Sequence, residues 1–247
     1  TQTMHNVLTP RGAEVRDPLL WARVIDDALC RFKDRTDILI NCHNWPVWGR
    51  SNVEQFMLEQ RDIYKFTHDQ TLRLAEEPDF LSEALHARGY YGTLAFNARA
   101  TYQKYYGFFD GRPLSLNPLP PEQLSAHFVD ALGGVGRVLD LAEKAVSEGN
   151  LQWAATLLNH AVFAHESSAK GPLAEVYRNM AYGEESAIMR NIYLAGAQEL
   201  EHGAPRLAGA GGRNSDLAAT LDLKDWFDAM AVRLNSDKAR DVSLAIR

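Results

Sequence analysis

From residue 51 onward the apolar side chains recur three and four positions apart, and that spacing commits the larger part of the chain to helices. Ser51 and Asn52 can cap a helix whose apolar stripe runs through Val53, Phe56, Met57, Ile63, Tyr64 and Leu72, until Glu76-Glu77-Pro78-Asp79 breaks it. A further helix is expected over 79–88. Gly89-Tyr90-Tyr91-Gly92 reads as a turn, and the next helix carries Phe96, Ala100, Tyr102, Tyr105 and Phe108. A proline-rich loop over 111–121 comes next. Between 122 and 203 the pattern is one of paired antiparallel helices. Segments beginning Leu141-Ala142-Glu143 and Leu173-Ala174-Glu175 start about 32 residues apart, near the roughly 34 residues of a helix-turn-helix repeat. Gly149 and Gly183 fall at matching turns. Two such units fall short of a solenoid, so a repeat-like hairpin array is expected.

Residues 1–50 have a different texture, that of an α/β piece. A helix is expected over 16–32, with Leu19, Leu20, Val24, Ile25, Leu29 and Phe32 at helical spacing, Asp17 as N-cap and Pro18 in the first turn. The run Asp37-Ile38-Leu39-Ile40-Asn41 reads as a buried strand that opens into a loop at Cys42-His43-Asn44-Trp45-Pro46. One helix and one strand cannot bury a core alone, so this piece must pack on the helices beyond residue 50 or on something outside the chain. At the other end, 204–215 reads as a flexible linker, 221–234 as an amphipathic helix bearing Trp226, Phe227, Met230 and Leu234, and 241–247 as a strand without a partner. Both ends therefore read as cut.

The formal net charge of −6 gives no basic footprint for nucleic acid. No run of about 18 apolar residues is present to span a membrane. Two cysteines, Cys30 and Cys42, are too few for a disulfide framework. His43 stands where α/β enzymes place metal ligands and catalytic groups, at a strand end. A hydrogen-bonded core histidine would occupy the same place, and one imidazole cannot bind a metal tightly. His68, His86, His160, His165 and His202 lie singly on expected helices and read as surface or core residues. The aromatic zone from Tyr90 to Phe109 reads as core or dimer contact ahead of an alkyl-chain pocket.

Six segments, MHNVLTPRGAEVRD, CHNWPVWG, QRDIYKFTHDQTLRLA, RGYYGTLAFNARATYQKYYGFFDG, WAATLLNHAVFA and ESAIMRNIYLAGAQELEHG, resemble in order the alkyl sulfatases of the metallo-β-lactamase superfamily. The resemblance implies a mainly α chain. Residues 1–50 would be the C-terminal piece of a metallo-β-lactamase-like catalytic domain, 51–205 an all-α dimerisation domain, and 216–247 the start of a sterol-carrier-protein-like domain. It implies zinc-dependent hydrolysis of alkyl sulfates such as dodecyl sulfate to alcohol and sulfate, by a homodimer. The two zinc ions would take most of their ligands from a His-x-His-x-Asp-His motif expected before Thr1. His43 would be a zinc ligand, Asn6 and Arg11 would contact sulfate, and His5 is the nearest candidate general acid, with Asn6 the alternative holder of that role. Asn44 stands where the family has a second His, and Phe96 where a His precedes Asn97. The stretch between Leu74 and Arg88 is also about a dozen residues shorter than the family pattern. Members that use detergents are often exported, so the resemblance also points to periplasm or secretion. Alone, the chain is expected to be inactive. The competing readings are a non-catalytic helical dimerisation or scaffold module and a helical-repeat peptide-binding protein.

Overall fold

The computed structural model describes residues 3–9, 14–42, 45–74, 88–204 and 222–240. The chain divides into two compact units, Thr1–Gly203 and Ala204–Arg247. Among the described residues the first unit is a helical assembly with one short strand pair.

Helix α1 (Pro18–Phe32) starts as the sequence dictates. Asp17 accepts a hydrogen bond from the Leu20 N–H, and Pro18, which has no N–H to leave unpaired, occupies the first turn. The expected strand is shorter than its apolar run. Only Ile38–Leu39 (β1) pairs, antiparallel to Val47–Trp48 (β2), with Ile38 and Ile40 exposed. Helix α2 (Arg50–Leu74) begins one residue before the expected cap, because Gly49 at φ +89° breaks the chain. Asn52 lies inside the first turn, where its amide donates to the Trp48 carbonyl. The helix expected over 79–88 falls mostly outside the described residues. Helix α3 (Leu94–Tyr106) ends at Gly107, φ +73°, which leaves Phe108 beyond the helix and 86% exposed.

Five helices come after it: α4 (Pro121–Ala131), α5 (Val135–Ser147), α6 (Leu151–Phe163), α7 (Lys170–Gly183) and α8 (Ala187–His202). The pairs α5–α6 and α7–α8 are the hairpins expected from the spacing. Helix α6 is apolar almost all round because α4, α5 and α7 surround it, burying Ala154, Ala155, Leu157, Leu158 and Ala161. Alanines at these contacts let the helix axes approach closely. A second apolar cluster joins Met4, Ala22, Ile63 and Tyr64, with Trp21, Ile25 and Leu94 packed against it. Here α1 covers α2, so the N-terminal piece packs on the helical part of the same chain.

In the second unit, described from residue 222, helix α9 (Leu223–Ala231) is shorter than the expected 221–234 and leads into one turn, α10 (Ser236–Ala239). The expected strand over 241–247 and most of the linker over 204–215 lie outside the described residues. No described helix is long and apolar enough to cross a membrane.

Candidate functional site

The segment that carries His5 and Asn6 has no regular secondary structure, so its backbone must find partners elsewhere. It finds them on the helices. The His5 N–H donates to the Tyr64 hydroxyl at 2.9 Å. The Val7 N–H donates to Asn97 Oδ1 at 2.7 Å, and Asn97 Nδ2 donates back to the His5 carbonyl at 2.9 Å. One side-chain amide thus clamps the main chain on both sides of Asn6. The Gly92 N–H donates to the Met4 carbonyl at 2.8 Å. That approach is so close that a Cβ at Gly92 would lie 2.5 Å from the His5 carbonyl carbon, which is why glycine stands there.

This clamp is anchored in turn to the helical hairpins. The Ala187 N–H donates to the Tyr90 carbonyl, Ser186 Oγ donates to the Tyr91 carbonyl, and Arg88 pairs with Glu185. The α7–α8 turn therefore holds the 88–92 turn, and that turn holds the His5 segment.

Side chains complete the arrangement. Arg16 Nη1 lies 3.0 Å from His5 Nδ1 and donates to the Asn6 carbonyl at 2.9 Å. The Arg16 guanidinium also sits over the Trp21 ring, 5.5 Å from its centroid. The His5 ring meets Trp21 edge-on at 5.8 Å and Tyr91 at 4.9 Å. Burial pushes the Tyr64 hydroxyl up to about 12, only partly offset by its bond from the His5 N–H and by the Arg16 charge. It therefore stays a neutral anchor. An apolar cavity of about 310 Å³ opens beside His5 between α1 and α2, walled by Trp21, Val24, Ile25, Phe56 and Met57.

Asn6 is the unexplained member. Its side chain is fully buried, yet neither amide atom has a hydrogen-bond partner among the described residues. Two orphaned polar atoms in a buried amide cost free energy unless a ligand or water completes them.

Of the residues singled out from sequence, His5 and Asn6 stand together at this clamp. Arg11, His43 and Asn44 lie outside the described residues. Phe96 is half-buried on α3 beside Asn97. Among the described residues no group of three or more His, Cys, Asp or Glu could hold a metal ion, so these residues do not by themselves fit a zinc site. His68 is buried and bonded to Asp69 and to the Tyr105 hydroxyl, and His160 to Ser125, as core histidines are. Arg16, Tyr64 and Gly92 are not legible as site residues in the sequence. Arg16 sits inside the segment MHNVLTPRGAEVRD, the one signal that could raise it.

The profile of a family described as alkyl sulfatase dimerisation matches residues 67–203. An (R)-specific secondary-alkylsulfatase of a Pseudomonas species is 41% identical over 252 residues, covering 96% of this chain and 38% of that protein. A Saccharomyces cerevisiae alkyl/aryl-sulfatase is 41% identical over 97% of this chain and 39% of its own length. A linear primary-alkylsulfatase of a Pseudomonas species is 35% identical over all of this chain and 39% of its own length. The structure of a stereoselective inverting sec-alkylsulfatase from a Pseudomonas species superposes with a TM-score of 0.89 at 40% identity, over 96% of this chain and 40% of that one. The chain spans about two fifths of the length of these relatives. With more than half of its residues inside the family profile, the chain belongs to the alkyl sulfatase dimerisation family.

Proposed function

We propose that this chain supplies one part of the site of an alkyl sulfate hydrolase, together with the helical domain through which two copies pair. The observation that carries the reading is the buried, unpartnered Asn6 amide beside His5 on a segment clamped by α2 and α3. A sulfate oxygen is a fitting acceptor for the Asn6 Nδ2 donor, and Arg11 would add a guanidinium fork to two more oxygens. Water attacks the ester carbon and loses its proton to solvent. The C–O bond breaks with its electron pair on the sulfate oxygen, and His5 gives that oxygen a proton. The apolar cavity between α1 and α2 supports an alkyl chain on the substrate.

Residues 1–50 are read as the tail of a metallo-β-lactamase-like domain, 51–205 as the dimerisation domain, and 216–247 as the start of a sterol-carrier-protein-like domain. Two zinc ions would take His43 as one ligand and the others from outside this chain, and when bound would supply hydroxide at neutral pH. The described residues do not by themselves compose such a site. The second reading, a scaffold without chemistry, draws on the same absence of a metal cluster among the described residues.

The two readings separate in one assay. Sulfate release from dodecyl sulfate is measured for this chain alone, and for the chain joined to the complementary three fifths of the Pseudomonas secondary-alkylsulfatase. Zinc content is measured with and without His43→Ala. The expected result is release only from the joined form, with less zinc after His43→Ala. Fast release by the chain alone would overturn the division of the site. A zinc-loaded joined form that releases no sulfate leaves the scaffold reading.

A further inference from the structure

We propose that Arg16 is a positioning residue that fixes the tautomer of His5, keeping the neutral ring's proton on Nε2. Two contacts compete for Nδ1. Arg16 Nη1 stands 3.0 Å from it and the Asn6 carbonyl 3.1 Å from it. A guanidinium nitrogen can only donate, so the first contact is a bond only if Nδ1 accepts. The second needs Nδ1 to carry hydrogen.

Three features decide between them. The Asn6 carbonyl already accepts from Arg16 Nη1 at 2.9 Å. A hydrogen on Nδ1 would face the guanidinium N–H groups head-on. A bond from a charged donor is also stronger than one between neutral groups. Nδ1 therefore accepts, and the single proton of the neutral ring is left on Nε2.

The arrangement is held from several sides. Arg16 is itself fixed, because its N–H donates to the Val7 carbonyl at 3.0 Å and its guanidinium rests on Trp21. The His5 main chain is tied to Tyr64 and Asn97, and its ring packs against Trp21 and Tyr91. Among the described residues, the groups against the ring include Arg16 ahead of α1, Trp21 on α1 and Tyr91 in the turn before α3.

The consequence rests on the reading of His5 as the general acid: the proton that it hands to the departing sulfate oxygen is delivered from Nε2, and Arg16 keeps it there. The relation is the reverse of a carboxylate behind histidine, which takes a hydrogen bond from Nδ1.

The tautomer is read directly by nitrogen NMR of the chain with labelled histidine, at a pH where the ring is neutral, with His5→Gln used to assign the signal. The expected spectrum has a pyridine-like Nδ1 and a pyrrole-like Nε2 for His5. In Arg16→Met the Nδ1 signal moves toward the pyrrole-like end as the proton turns to the Asn6 carbonyl, and in Arg16→Lys it stays. A pyrrole-like Nδ1 in the unaltered chain overturns the proposal even if the Met variant fails to fold, and so does a folded Met variant with an unmoved signal. In the joined, hydrolysing form, Arg16→Met is expected to lower kcat at least about tenfold with KM little changed, and Arg16→Lys to restore part of it. An unchanged kcat in Arg16→Met overturns the positioning role while alkyl sulfate hydrolysis stands. A His5→Gln form that keeps its kcat overturns His5 as the acid while the NMR result stands.

Discussion

Asn97 shows how much one buried amide can decide. It is fully buried, and both of its polar atoms are spent on the main chain around Asn6. Asn97→Ala takes this partner from the buried Val7 N–H and from the part-buried His5 carbonyl. Each orphan costs roughly 1–3 kcal/mol, so urea unfolding is expected to show a loss of about 2–4 kcal/mol. Tyr64 makes a different prediction, one of pH. Burial raises its hydroxyl from 10.0 to about 12 in the folded chain. A raised pKa stabilises the fold fully below 10.0 and loses that contribution as pH rises toward 12. Thermal unfolding followed from pH 9 to 12 (about the range between the two values) should therefore show an alkaline loss that is smaller in Tyr64→Phe, with Tyr177 and Tyr193, also raised, keeping part of it. That variant is less stable at neutral pH as well, because the His5 N–H loses its acceptor.

At the scale of elements, α1 and α6 owe their stability to different causes. Helix α1 adds a side-chain cap to its packing on α2. Burial alone would raise the Asp17 carboxyl, but the bond from the Leu20 N–H and the nearby Lys104 ammonium together hold it below 3.8. A depressed carboxylate stabilises the fold above its unfolded pKa and loses that contribution as pH falls through the folded one. Asp17→Ala should cost about 1 kcal/mol at neutral pH, a cost that shrinks as pH falls from 3.8 through the lower folded pKa. Equilibrium unfolding followed from pH 7 down to about 2 tests both statements. Helix α6 depends on packing. Leu157 is fully buried where α4, α5 and α7 close around it. Leu157→Ala is expected to cost about 2–5 kcal/mol in the same measurement.

At the scale of the molecule, the described residues of the first unit hold two apolar clusters, one around α6 and one between α1 and α2. The 88–92 turn, bonded to both Met4 and the start of α8, links them. The proposed pairing of two copies predicts a light-scattering mass twice the 27.7 kDa of one chain. A strict monomer would count against the hydrolase and scaffold readings alike.

Much of the helical architecture is legible in the sequence because local rules govern it. The 3.6-residue period, the Asp17–Pro18 start and the glycine turn at Gly149 all act within a few residues of each other. The strand over 37–41 is shorter than its pattern suggests, since an apolar run has the same period whether or not a partner strand reaches its whole length, and β2 offers only two residues. The likeness to alkyl sulfatases is readable from six segments, and it draws attention to His5 and Asn6. What no local pattern contains is the clamp. Tyr64, Gly92 and Asn97 lie 59 or more positions from His5 and look, in sequence, like a core aromatic, a turn and a buried amide. Only chain folding brings them within 3 Å or so of one short segment. The sequence set which residues become helices through neighbouring side chains; the tertiary structure alone decided which distant backbone groups those helices would satisfy.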